Sequence, residues 1–284
     1  MRAGRPRAVM NEIPFFKMSG SGNDFILIDN RRSVVPLEDP SEFAARICRR
    51  KMSVGADGLI LLEASDRADF RWRFFNSDGS MAEMCGNGAR CAARFAFLHG
   101  IAGAEMRFET LAGIIGAQVQ GDLVKIRMTD PCDLVLAGEL DTGRERIVYS
   151  SINTGVPHVV IEVEDLEKVD VTSLGRRIRW HSRFSPAGTN VNFMAPLSDG
   201  GWAVRTYERG VEDETLACGT GIAAAALVLA AATSLTSPIR LKARSGTWLK
   251  VYFSREADNF KGLFLEGDAR IVCQGRLGPS AWEY

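Results

Sequence analysis

The chain has 284 residues, 46% of them apolar, with 35 basic and 35 acidic side chains and a formal net charge of zero. That length suits one large domain or two of ordinary size, and the composition is that of a soluble globular protein. A balanced charge holds no basic excess for phosphates, so neither a nucleic-acid nor a membrane partner is expected.

Residues 1–10 carry Arg2, Arg5 and Arg7 but no apolar segment long enough for a secretory signal. They are expected to form a disordered tail, with Met10 as an alternative start. In FFKMSGSGNDFILIDN the glycines precede the strand-like run Phe25 to Ile28. A phosphate-binding loop follows a strand and opens a helix, so the nucleotide reading fails on context.

SEFAARICRR reads as an amphipathic helix capped by Ser41, and GADGLILLEA as a turn into a strand. Next come a strand, a turn at Asn76, Asp78 and Gly79, and a helix that begins near Cys85. From Gly86 to His99 apolar residues cover nearly every helical face, which requires other structure to wrap it. After Glu109, alternating runs such as AQVQ and LVKIRM predict strands, and Asp130-Pro131 with Ala137 to Arg146 suggests a domain change or long loop.

The second half repeats the plan: INTGVPHVVIEV, a polar helical stretch, FSPAGTNVNFMA, the strand WAVRTYERG, and a helix opened by ACGTG. Ile222 to Ala232 is continuously apolar but mostly alanine, and is read as a buried core helix, too weakly apolar to cross a membrane. The two halves are read as a diverged internal duplication with Cys85 and Cys218 in equivalent places.

The six cysteines, Cys48, Cys85, Cys91, Cys132, Cys218 and Cys273, are too scattered for a disulfide framework and are read as reduced thiols of a cytoplasmic protein. Cys48, Cys91, Cys132 and Cys273 are expected to be small buried apolar residues. MCGNGARC and ACGTG differ from these: each runs Cys-Gly-x-Gly directly into an apolar helix. The first amides of a helix lack internal partners and carry the positive end of its dipole. They favour a thiolate, and with glycine they admit a carboxylate. Two such sites facing each other would let one sulfur remove a proton while the other delivers one to the opposite face, inverting a stereocentre without a cofactor.

Asn23, Asn76, Asn87 and Asn190 suit either turns or amide recognition of a polar ligand. Glu208 and Arg209, taken alone, make an ordinary ion pair. Three histidines and no close Cys-x-x-Cys pair leave no metal site expected. His158 is read as structural unless it lies near a cysteine.

SGSGNDF, FFNSDGS, MCGNGARC, GTNVNF, TYERG and ACGTG, in this order, resemble the diaminopimelate epimerase family, and the similarity runs from about Asn11 to the end. The resemblance implies an α/β (α+β) fold of two pseudo-symmetric domains, each a curved, largely antiparallel sheet around a central helix, with the active site between them. The domains would comprise residues 11–130 plus 275–284, whose last strand returns to the first domain, and residues 131–274.

The implied reaction interconverts LL- and meso-diaminopimelate without a cofactor by proton exchange at one α-carbon, for lysine and peptidoglycan synthesis, in a homodimer. Cys85 and Cys218 would be the acid and base. Gly86, Asn87, Gly219 and Thr220 would serve the α-carboxylate, with Asn23, Asn76, Asn190, Glu208 and Arg209 on the amino and carboxyl groups. His158 and Glu208 would tune the thiols.

This chain departs from the family pattern in having Val156 where members commonly have asparagine, and Gly58 where some carry glutamine. The VEDET segment after Gly210 is also longer than usual. The alternatives are another two-base amino-acid isomerase of the same fold, a thiol redox switch, and a non-catalytic binding protein.

Overall fold

A computed structural model describes residues 12–35, 39–256 and 259–284; the expected tail at residues 1–10 lies outside the described residues. The chain divides into two compact units, one reaching to Gly116 and taking back Ala269–Tyr284, the other Ala117–Asp268.

In the first unit β1 (Ile13–Gly20) and β2 (Asn23–Asp29) form an antiparallel hairpin. Its two loop residues, Ser21 and Gly22, have φ of 53° and 108°. The SGSG run thus serves a tight hairpin turn, which needs positive φ. β2 runs parallel to β3 (Gly58–Glu63), and the crossover carries α1 (Pro40–Ile47). The α1 cap is Asp39, whose carboxylate accepts from the Ser41 backbone N–H. Ser41 was expected to cap this helix, but Pro40, preset for the first helical position, moves the start ahead of it.

β4 (Phe70–Asn76) is antiparallel to β3, and β5 (Met81–Ala82) to β4. α2 (Gly86–Leu98) follows, then β6 (Glu105–Thr110), parallel to β4. β3 is buried along its whole length. Leu59 and Leu61 join Phe43 and Ile47 of α1 in one cluster, while Ile60 meets Gly88 of α2. A strand covered on both faces needs a continuous apolar run, and GLILLE supplies it.

The second unit begins within β7 (Gly113–Gln120) and continues through β8 (Leu123–Arg127), β9 (Cys132–Asp141), β10 (Arg146–Asn153) and β11 (Pro157–Glu162). α3 (Val171–Arg179), β12 (Asn190–Pro196), β13 (Trp202–Glu208), β14 (Asp213–Thr215) and α4 (Gly219–Ala232) follow. β15 (Ile239–Lys242), β16 (Trp248–Glu256) and β17 (Asn259–Asp268) complete it.

β10 is antiparallel to β11, β11 parallel to β12, β12 antiparallel to β13, β13 antiparallel to β14 and parallel to β15. That order matches β1, β2, β3, β4, β5 and β6 of the first unit, with α3 in the place of α1 and α4 in that of α2. The duplication read in the sequence is therefore present as a repeated pairing scheme. α4 packs against β9 to β13 and β15 to β17, and Gly221 to Ala230 are all buried. Its apolar character on every face is the requirement of a helix enclosed by a sheet.

Four expectations shift. Ala137 to Arg146 belongs to the β9–β10 hairpin, closed by hydrogen bonds between Thr142 and Glu145, and is neither a long loop nor a domain change. The first break falls at 116 and not 130, since residues 123–127 pair with β17. The returning strand is Arg270–Leu277, pairing with β1 from Ser19↔Arg270 to Ile13↔Leu277, and so begins before residue 275. Cys132 and Cys273 are exposed, against the expectation of burial, whereas Cys48 and Cys91 are buried. Burial pushes the Cys48 thiol up to about 12, which keeps it unreactive at neutral pH. Among the described residues no helix is long and apolar enough to cross a membrane.

Candidate active site

Cys85 is the N-cap of α2 and Cys218 the N-cap of α4. Both hold extended backbone, φ −144° and ψ 118° at Cys85, φ −111° and ψ 109° at Cys218. That is the conformation in which a serine or aspartate side chain turns back to cap the first-turn amides. Neither sulfur makes a capping bond. The thiols are thus not used to hold the helix, and they sit beside its positive end. Cys85 is half-buried and Cys218 only 6% exposed. The Cys218 Sγ lies 3.4 Å from Thr220 Oγ1. Gly86, Gly219 and Thr220 are half-buried at the helix starts, where their N–H groups have no partner one turn back.

Asn76 and Glu208 end the corresponding strands β4 and β13. Asn76 donates to Ser80 Oγ at 3.0 Å within a turn that also includes Asp78. Burial pushes the Glu208 carboxyl above its ordinary value, while the neighbouring Thr215 and Cys218 side chains pull it the other way. Glu208 therefore stands next to the Cys218 thiol.

Asn190 and Asn192 project to the same side of β12, as residues two apart must. The Asn190 Oδ1 accepts from the Arg209 N–H at 2.8 Å, and its Nδ2 donates to Pro157 O. The Arg209 guanidinium donates to Ala187 O at 3.2 Å. Asn192 is wholly buried, donating to Val159 O and to His158 Nδ1 while accepting from Thr206 Oγ1. With Nδ1 as acceptor, the ring proton sits on Nε2, and this nitrogen is buried with no hydrogen-bond partner.

Burial and the positive Arg209 together lower the His158 pKa to about 3. Unfolded, the same ring titrates near 6.5. The unfolded chain therefore binds the extra proton first, so full stability is present above pH 6.5 and is lost as pH falls toward 3. Between pH 7 and pH 5 this single group is expected to cost about 2 kcal/mol, measured by urea unfolding, and His158→Gln is expected to flatten the loss.

The segment after Glu208 is pinned at Glu212, which has φ 59°. The Glu212 N–H donates to Glu208 O, and its carboxylate accepts from the Gly210 N–H, the Arg179 guanidinium and the Tyr207 hydroxyl. The longer VEDET loop is thus closed by its own glutamate. A Cβ at Gly58 would meet Phe74 Cε2 and Phe75 O at 2.6 Å, so the glutamine that some family members carry finds no room here.

In the first unit Asn23 and Asn87 are in direct contact, Asn87 Nδ2 donating to Asn23 Oδ1 at 2.7 Å. Asn23 Nδ2 in turn donates to Asp57. The sequence reading missed Asp57, Arg90, Asn192 and Glu212 as supports of the expected residues. Of these only Asn192 left a signal, the Asn-x-Asn spacing of GTNVNF. Among the described residues no three His, Cys, Asp or Glu side chains group so as to hold a metal ion.

Comparison with known proteins agrees with this layout. The model of the diaminopimelate epimerase family matches residues 15–135 and 150–272, one stretch for each half. A diaminopimelate epimerase of Aquifex aeolicus (strain VF5) is 48% identical over 281 residues, covering 95% of this chain and 99% of that protein. One from Methanothrix thermoacetophila is 40% identical over 278 residues, 94% of this chain and 96% of its own. Among solved structures, a Bacillus anthracis protein of the PhzF family superposes with a TM-score of 0.72 at 17% identity, covering 94% of this chain and 99% of that one. A hydroxyproline epimerase from Agrobacterium vitis gives 0.67 at 16%, covering 95% and 93%. At such identities the two structures share the fold and carry no more than that. The family match over both halves and the near-full-length relatives, by contrast, decide the matter: the chain is an isomerase and belongs to the diaminopimelate epimerase family.

Proposed function

We propose that the protein interconverts LL- and meso-diaminopimelate with Cys85 and Cys218 as the acid and base. One sulfur, as thiolate, takes the α-proton; the electron pair left on carbon spreads into the carboxylate. The other, as thiol, protonates the opposite face, and the two exchange roles for the reverse reaction. Atoms and charge balance without a redox partner. The single observation that carries this reading is the pair of uncapped cysteines at the N-caps of two duplicated helices.

The amides of Gly86, Asn87, Gly219 and Thr220 are suited to hold the α-carboxylate and the negative charge that develops on it. Asn23, Asn76, Asn190, Glu208 and Arg209 serve the remaining amino and carboxyl groups. Glu208, next to Cys218, and His158, neutral and carrying an unpartnered N–H, adjust the thiols. The product supplies lysine and peptidoglycan synthesis, in the cytoplasm, where thiols stay reduced, and the active form is a homodimer.

Purified, reduced protein incubated with LL-diaminopimelate and no added cofactor is expected to yield the meso isomer, followed by chiral chromatography. A folded, reduced protein that leaves the substrate unchanged contradicts the reading.

A further inference from the structure

Four residues of the first unit form one chain of hydrogen bonds. The Arg90 guanidinium, fully buried, donates from Nη2 to Asn87 Oδ1 at 2.8 Å and to Ser21 Oγ at 2.7 Å. Asn87 Nδ2 donates to Asn23 Oδ1 at 2.7 Å. Asn23 Nδ2 donates to Asp57 Oδ2 at 3.0 Å. The Asp57 carboxylate is itself seated: it accepts from the Asp24 N–H at 3.2 Å and pairs with Arg50 at 3.0 Å, and its own N–H donates back to Asp24 Oδ1.

The two ends of this chain differ in kind. A guanidinium only donates, and an ionised carboxylate only accepts. An asparagine amide can turn over and exchange its oxygen for its nitrogen, and nothing local forbids it. Between a fixed donor and a fixed acceptor, however, only one orientation of both amides pairs every atom. Turning either one sets N–H against N–H on one side or oxygen against oxygen on the other.

We infer that Arg90 and Asp57 are positioning residues that set the amide polarity of Asn87 and Asn23, so that Asn23 offers its second N–H to a substrate carboxylate. This rests on the diaminopimelate reading for the substrate, but the polarity itself rests on the four hydrogen bonds. Asn23 is half-buried, so the free proton of its Nδ2 reaches a ligand; the first is spent on Asp57. Without Asp57 the Asn23 amide is held only by the Asn87 N–H, so turning is opposed on one side instead of two and its oxygen meets the carboxylate more often. The cost falls on binding more than on proton transfer, since the amide that loses its orientation is a substrate-binding group.

The test compares Asp57→Ala with Asp57→Asn; at 41% side-chain exposure, position 57 tolerates either change. Asparagine can turn its Oδ1 toward Asn23 and keep the chain running in the same direction; alanine cannot. Asp57→Ala is expected to raise KM about tenfold, the equivalent of one hydrogen bond to a charged group, with kcat within about twofold. Asp57→Asn is expected to hold KM within about twofold of the parent.

In substrate-free protein labelled with ¹⁵N-asparagine, the side-chain NH₂ signals of Asn23 and Asn87 should be well dispersed. They are expected to move toward solvent-exposed values in Asp57→Ala only. Unchanged signals and KM in folded Asp57→Ala, or equal losses in the two variants, overturn the inference. A parent chain without epimerase activity defeats the substrate reading, and the NH₂ signals then decide the polarity by themselves.

Discussion

Cys85→Ser and Cys218→Ser are each expected to lower kcat for epimerisation by about 10³-fold or more, while the folded protein becomes no less stable and gains up to about 1 kcal/mol. The two halves of that result have one cause. Each cysteine occupies an N-cap position with the extended backbone that a capping side chain needs, yet makes no capping bond. Serine is among the best caps, and its hydroxyl accepts from the first-turn amides at little cost. It is also too weak an acid to be a thiolate's substitute at neutral pH. Stability from urea unfolding and kcat from isomer ratios should therefore move in opposite directions. A serine variant that keeps its activity removes the cysteine from the reaction. One that unfolds makes the cysteine structural.

Gly221→Ala is expected to destabilise the protein by about 3 kcal/mol, although the same change inside an ordinary helix stabilises by about 1 kcal/mol. Gly221 lies in the first turn of α4, where an added Cβ would sit 2.2 Å from Asn192 Oδ1 and 3.2 Å from Thr206 Oγ1. Asn192 cannot retreat cheaply. Its amide is bound to Val159 O, His158 and Thr206, all of them interior, and each severed bond leaves a buried polar group unpaired at a cost of about 1–3 kcal/mol. The second glycine of ACGTG is thus required by close packing against β12, and the first faces Leu265, whose Cδ2 would lie 2.8 Å from an added Cβ. Urea unfolding reads the change. Gly221→Ala combined with Asn192→Ala should lose less than the sum of the two single changes, because the clash is then gone. A stabilised Gly221→Ala would show that α4 does not press on β12 here.

Much of this arrangement was legible in the sequence because its causes are local. Cys-Gly-x-Gly opens a helix at both places where it occurs in this chain, and a helix apolar on every face, as from Ile222 to Ala230, has to be enclosed. The strand at Phe25 to Ile28 followed from its apolar run, whereas the hairpin turn at Ser21-Gly22 that precedes it became visible only in the fold. At the first domain break a long-range partner decided. Residues 123–127 belong to the second unit because β17, more than 130 residues later in the chain, pairs with them, and no feature of LVKIR announces that.

Ser41 lost the cap of α1 to Asp39 because the proline between them sets where the helix begins. Asp57 and Arg90 were passed over for a different reason. A charged residue in GADG or GNGAR looks like surface, and its function depends on two asparagines, one of them 34 residues before Asp57 and the other three before Arg90. Spacing on one element, as in Asn190-x-Asn192, can be read from a sequence; the bonds from Asn87 to Asn23 and from Asn23 to Asp57, which join separate segments and give Arg90 its part, cannot.

The central claim is that two thiols work on opposite faces of one carbon, and the source of the incoming hydrogen tests it most directly. Reduced protein is placed with LL-diaminopimelate in D₂O without a cofactor, and deuterium at the α-carbon is measured by NMR in both isomers while little substrate has been consumed. The two-thiol account predicts that the meso product carries solvent deuterium at the inverted centre, delivered by the second sulfur, while the remaining LL substrate is still protiated. Product that retains the original hydrogen would mean that a single group removes and returns the same proton, and would contradict the account.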